Sequence, residues 1–182
     1  AACEKRLLKH TGKALVFDSY PEMKEQINRP DLDVTADDIL ILRNVGPQGG
    51  PGMPEWGMIP IPQKLIEQGV RDMMRISDAR MSGTSYGACV LHVSPEAYIG
   101  GPLGLVENGD EISIDVAARS IHLNVSEKEL AARKTKYKAP AARFERGYGW
   151  MFAQHIQQAD EGCDFDFLQT AFGKAAGEPD IF

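Results

Sequence analysis

The sequence has no long hydrophobic run: no apolar stretch approaches the roughly 18 residues that span a bilayer, and no secretory signal is present. Those two absences exclude a membrane partner and lead to an expected cytoplasmic location. Cysteine is scarce, with Cys3, Cys89 and Cys163 far apart among 182 residues. An odd number at such separations excludes a disulfide framework and a CxxC metal knuckle. An iron-sulfur cluster needs about four converging thiolate or imidazole ligands, which this set does not supply. Cys89, inside Ala88-Cys89-Val90-Leu91, reads as a small core residue. His92, His122 and His155 are dispersed and read as packing or surface groups. Basic residues are scattered too: with a net charge of -6 there is no nucleic-acid footprint. The run Arg133, Lys134, Lys136, Lys138 reads as a solvated helix end.

What is present suffices for one domain over residues 1–182 with a real core, since 43% of the residues are hydrophobic. The pattern predicts a strand at 14–17, a helix at 21–28 with Pro21 in its first turn, and a strand at 39–42 that is apolar throughout and buried on both faces. A helix at 62–68 stopped by Gly69 leads into a strand at 70–76, and 88–93 forms another buried run. Residues 111–116 and 120–125 read as a hairpin, with Ile121, Leu123 and Val125 facing the core while His122 and Asn124 face water. Ser126 with Glu129 is a capping-box signature opening a helix to about residue 134, and a last helix falls within 141–159. Many short strands interleaved with helices predict a mixed α and β fold, a closed or nearly closed β-barrel flanked by helices; a three-layer α/β sheet fits the pattern equally.

The most informative segments are two Gly/Pro-rich loops placed directly after β-branched runs, GPQGGPGMPEW at 46–56 and SDARMSGTSYG at 77–87. Each presents one polar side chain from a strand end, a carboxylate at Glu55 and a hydroxyl at Ser82. The glycines do not form a nucleotide loop: neither GxGxxG nor GxxxxGK[ST] is present, and Pro47 and Pro51 remove amides that would hold a phosphate. An exposed loop glutamate and a helix N-cap serine are the plain structural readings of Glu55 and Ser82. Asp78 and Arg80 stand at strand-like spacing, and the pattern favours a structural pair in which Arg80 neutralises Asp78 over an arginine that binds a substrate carboxylate.

These two loops, with HVSPEA, GGPLGLVENGD and QADEGCDFDFL following in the same order, resemble the carboxyl-terminal part of the dihydroxy-acid dehydratase and 6-phosphogluconate dehydratase family, on its sugar-acid (arabinonate, xylonate) side. The resemblance implies a swivelling β/β/α domain like the mobile domain of aconitase-type enzymes. It implies a hydro-lyase that dehydrates a 2,3-dihydroxy sugar acid to its 2-keto-3-deoxy acid. In the matching motifs Ser82 takes the place of the proton-abstracting alkoxide, Thr84 that of a neighbour that orients substrate or reprotonates product, and Glu55 that of a Mg2+ ligand. Asp78 and Arg80 then fall in the substrate or supporting shell. The iron-sulfur cluster is expected on an amino-terminal domain absent from this chain, which begins at Ala1 without Met. That domain, the sugar acid and a second copy in a homo-oligomer are the implied partners, and the 182-residue chain by itself is expected to fold without catalysing. The competing reading is a binding or interaction domain that keeps the fold without the chemistry.

Overall fold

The polar start of the first strand shows how one strand can serve two neighbours. In the computed structural model, which describes residues 3–168, β1 (Lys9–Phe17) pairs antiparallel with β5 (Glu111–Asp115) through Lys9–Lys13 and parallel with β2 (Ile39–Leu42) through Ala14–Phe17. Only the second half is apolar, so only that half is legible as a strand in the sequence. β3 (Met74–Ser77) and β4 (Cys89–Val90) continue the parallel side, and β6 (Ser120–Leu123) closes the antiparallel side, giving the order β4-β3-β2-β1-β5-β6. The sheet curls into a half-barrel and is accompanied by helices α1 (Tyr20–Gln26), α2 (Gln63–Glu67), α3 (Glu127–Lys136) and α4 (Gly147–His155). The expected mixed α and β architecture, a barrel-like sheet with helices, is therefore observed.

Both faces of the parallel half are covered, which is what a continuous apolar strand requires. Along β2, Ile39 and Ile41 enter one hydrophobic cluster with Val16, Met74, Ile76 and Leu103, while Leu40 and Leu42 enter another with Phe17, Met23, Ile27 and Leu65. All four β2 residues are fully buried. α1 is fixed at its start by Ser19, whose hydroxyl accepts a hydrogen bond from the Glu22 amide at 3.3 Å, and by Glu22, whose carboxylate accepts one from the Asp18 amide at 2.8 Å.

Four details differ from the sequence pattern. β3 begins at Met74 rather than at residue 70, because the buried Asp72 carboxylate takes the Met73 and Ala88 amides and turns the chain there. β4 has two residues and Cys89 is only partly buried, its sulfur 3.5 Å from Arg75 Nη1. Ile121, expected to face the core, is 49% exposed; β6 is the edge strand of the sheet. α3 runs to Lys136 with Ser126 as its cap, but the Glu129 carboxylate pairs with Arg133 instead of closing the box, and Arg133 reaches inward to Asp110. That arginine is thus an anchor, not part of a solvated end. α4 falls within the expected 141–159, beginning at Gly147, where φ is +77°.

Candidate functional site

In a parallel sheet the loops that leave the carboxyl ends of the strands gather along one edge, and that edge is where such folds bind ligands. Here those loops are Asp18–Ser19 after β1, 43–57 after β2, 78–88 after β3 and 91–96 after β4. Both loops singled out in the sequence therefore share an edge because β2 and β3 are adjacent and parallel.

Two buried carboxylates hold this edge together. Asp78, wholly buried, accepts hydrogen bonds from the backbone amides of Asn44 and Val45 at 3.1 Å and of Ala97 at 3.0 Å. Burial outweighs these bonds and raises its pKa to about 6, with the neighbouring Glu96 adding to the rise. Glu96, also wholly buried, accepts from the amides of Gln48 at 2.8 Å and Gly49 at 2.9 Å and from the Gln158 side-chain amide at 2.8 Å. Gln158 in turn accepts from the Glu96 amide at 2.8 Å. The glycine-rich loop is thus an anion cradle after all, but its anions are the protein's own carboxylates. A Cβ on Gly46 would lie 2.7 Å from the Glu96 carboxylate, which is why that position carries none. The tail segment adds a third wall: Gln48 donates to the Ile156 carbonyl, and Cys163 Sγ lies 3.5 Å from Met53 Sδ. Burial raises the pKa of the Cys163 thiol.

On this base stand the exposed groups. Glu55 and Arg80 pair at 3.4 Å with side chains 47% and 48% exposed. The Gly57 amide donates to the Arg80 carbonyl at 2.8 Å, so the Glu55 loop lies directly against the loop that carries Ser82. Ser82 Oγ and Thr84 Oγ1 share a hydrogen bond at 3.1 Å, and the Ser85 amide closes the turn onto the Ser82 carbonyl at 3.0 Å. Ser82 caps no helix, since the nearest α-helix to follow is α3. The expected Asp78–Arg80 pair does not form. β3 ends at Ser77, so strand alternation no longer aligns these two residues: Asp78 turns inward to backbone amides and Arg80 outward to Glu55.

Glu96 and Gln158 lie inside two of the motifs that carry the resemblance, HVSPEA and QADEGCDFDFL, but the sequence does not single out either as a site residue, because neither stands out from its neighbours by period or by charge. A second unforeseen feature is the stack of Tyr20 on Trp56, ring centroids 4.6 Å apart, with the Arg143 guanidinium 5.8 Å from the Trp56 ring centre.

The donor set also decides what this chain can hold. Among the described residues no three of His, Cys, Asp and Glu converge, so these residues by themselves do not form the ligand set of an iron-sulfur cluster. A single half-exposed carboxylate at Glu55 fits one ligand of a Mg2+ ion whose other ligands come from elsewhere, because Mg2+ takes one or two protein carboxylates and fills its remaining sites with water or substrate. No helix among the described residues is long and apolar enough to cross a membrane.

Comparison with known proteins agrees with the order of these loops. The family described as dihydroxy-acid/6-phosphogluconate dehydratase C-terminal matches residues 1–163. A 6-deoxy-6-sulfo-D-gluconate dehydratase of Pseudomonas putida is 55% identical over 181 residues, covering 100% of this chain and 31% of that protein. An L-arabinonate dehydratase of Rhizobium leguminosarum bv. trifolii is 45% identical, covering 98% of this chain and 31% of its own length. A dihydroxy-acid dehydratase of Chromohalobacter salexigens is 41% identical over 161 residues, 88% of this chain and 28% of that protein. The chain thus spans about a third of the length of the curated relatives it matches, and the two sugar-acid enzymes exceed the dihydroxy-acid enzyme in identity. With nine-tenths of its length matched and its strand-end loops in the expected order, the chain belongs to the dihydroxy-acid/6-phosphogluconate dehydratase C-terminal family.

Proposed function

We propose that the full-length protein carrying this chain is a hydro-lyase that dehydrates a sugar acid to its 2-keto-3-deoxy acid, and that this chain supplies the base and one Mg2+ ligand. The observation that carries the reading is the placing of Glu55–Arg80 and Ser82–Thr84 side by side on one strand-end edge, over a base clasped by Asp78 and Glu96. The relatives named above act on a sulfogluconate and on arabinonate, which supports a sugar acid as substrate. The remaining part of the protein, with its cluster ligands, is the partner this edge faces.

Dehydration moves the C2 proton to a base while the electron pair it leaves forms the C2–C3 double bond and the C3–O bond breaks, the hydroxide leaving as water once protonated. The resulting enol then tautomerises to the keto acid. Ser82 Oγ takes the C2 proton in this scheme. Thr84, bonded to it at 3.1 Å, orients that oxygen and is placed to return a proton to the product. An isolated serine hydroxyl is too weak an acid to give an alkoxide unaided. When bound, Mg2+ supplies the positive charge that favours the alkoxide and the developing enolate. Glu55 would hold that ion, and Arg80, 3.4 Å away, fixes the Glu55 carboxylate in place.

The test is Ser82→Ala in the full-length enzyme, assayed for dehydration of L-arabinonate and 6-deoxy-6-sulfo-D-gluconate. A fall in kcat of about 10² to 10⁴ or more at unchanged stability supports the base role. An active Ser82→Ala enzyme would overturn it.

A further inference from the structure

A small pocket of about 210 Å³ is lined by Glu55 itself together with Tyr20, Lys24, Asn28, Trp56 and Pro60 among others. Its volume equals roughly seven water molecules at liquid density and falls short of the several hundred Å³ that enclose a whole drug-sized ligand. It therefore fits one end of a short chain. Its wall is built by helical periodicity: Tyr20, Lys24 and Asn28 recur at every fourth position of α1 and the turn beyond it, so they line up on one face. The Tyr20–Trp56 stack at 4.6 Å, with Arg143 over Trp56, stiffens the apolar side.

The polar side has one free charge. Among the described residues Arg80 is engaged by Glu55, whereas Lys24, which lines the pocket, makes no ion pair. Asn28 uses its side-chain oxygen to accept from the Gln63 amide at 2.9 Å. That bond leaves the Asn28 NH₂ group, a donor, as its remaining hydrogen-bonding capacity. A cation and an amide donor in a cleft that Glu55 itself lines select for an oxyanion, with the ion held by Glu55 offsetting its carboxylate. A single lysine, with the Glu55 carboxylate close by, matches a singly charged group better than a dianion.

Resting on the proposed function above, we propose that this pocket receives the end of the sugar acid remote from its carboxylate, and that Lys24 with Asn28 makes the enzyme prefer a substrate whose far end carries a singly charged oxyanion such as a sulfonate. An arabinonate-type substrate ends in a neutral hydroxyl and leaves the lysine unpaired.

The experiment uses full-length protein and three probes that differ at C6: 6-deoxy-6-sulfo-D-gluconate, 6-phospho-D-gluconate and D-gluconate. Equilibrium binding is measured by calorimetry and turnover by kcat/KM, for wild type, Lys24→Ala and Lys24→Arg. The expected result is preferential binding of the sulfonate over gluconate, a sulfonate-to-gluconate ratio that falls about fivefold in Lys24→Ala, and recovery in Lys24→Arg. The ratio should also shrink as salt is raised, because an exposed charge pair is screened. A ratio unchanged by Lys24→Ala overturns the inference, as does a wild-type preference for the phosphate or for gluconate. Binding and turnover separate the two proposals: selective binding without turnover of any sugar acid would refute the dehydratase reading and leave the pocket standing, while turnover without selectivity would do the reverse.

Discussion

Replacing Asp78 by Asn should remove a specific pH dependence from the stability of this fold. The Asp78 carboxylate is fully buried and its pKa is raised from 3.8 to about 6, because burial disfavours the charge more than three amide hydrogen bonds favour it. A group whose folded pKa lies above its unfolded one holds its proton more tightly in the native state. Its stabilising contribution is therefore complete below about pH 4 and is lost as pH rises through about 6. A rise of about two pKa units corresponds to about 3 kcal/mol, a sizeable part of a total stability of about 5 to 15 kcal/mol. At neutral pH the ionised Asp78 is thus a cost accepted for clasping three backbone amides at once. Asn cannot titrate. Its amide oxygen can still accept from two of the three N–H groups, leaving one unsatisfied at a cost of about 1 to 3 kcal/mol, which offsets the relief of the buried charge. The absolute stability at pH 7 should then change little, while the slope between pH 4 and 6 should fall by the full 3 kcal/mol contribution. The assay is urea denaturation of the 182-residue chain by circular dichroism across that range, wild type against Asp78→Asn, corrected for the titration common to both. Equal slopes in the two proteins would refute the reasoning and place the Asp78 pKa in the ordinary range.

Glu96→Ala strips the acceptor from the buried Gly49 amide and the partly buried Gln48 amide and should destabilise the chain by about 3 kcal/mol, read as a lower urea midpoint. Glu55→Ala, by contrast, removes only a half-exposed pair with Arg80 and should move that midpoint by less than about 1 kcal/mol, while abolishing Mg2+-dependent turnover of the full-length enzyme. Thr84→Val leaves Ser82 without its hydroxyl partner and should lower kcat more than KM, with steady-state kinetics as the check; equal effects on both would count against an orienting role. Gly101→Ala would place a Cβ 1.8 Å from the Pro95 carbonyl, so the variant should fail to accumulate as folded protein at 25 °C, judged by near-ultraviolet circular dichroism.

Much of the site's placement was legible before any coordinates. Apolar runs followed directly by Gly/Pro-rich turns mark strand ends, and both Glu55 and Ser82 lie where that pattern put them, each beyond a strand of the parallel half. The hairpin at β5 and β6, the Ser126 cap and the Pro21 helix start were equally readable, because each depends on residues within a turn or two of one another. The order of the loop motifs also carried the family.

What the chain could not show locally is which groups meet across long separations. Asp78 and Arg80 look like partners two residues apart, yet the strand ends between them and the alternation that would align them stops at Ser77. Glu96 finds Gln48 and Gly49 across nearly fifty positions, and Gln158 closes on Glu96 across sixty-two, so neither partner is visible from its own neighbourhood. Ile121 alternates as if buried, but only the strand order reveals that β6 is the edge. Sequence by itself determined the local elements and the strand-end position of the two loops, because short-range sterics and periodicity set them, and the order of its motifs carried the family. Tertiary structure alone decided which carboxylates became buried clasps and which stayed exposed at the strand-end edge, because desolvation and pairing depend on what the rest of the chain brings within hydrogen-bond reach.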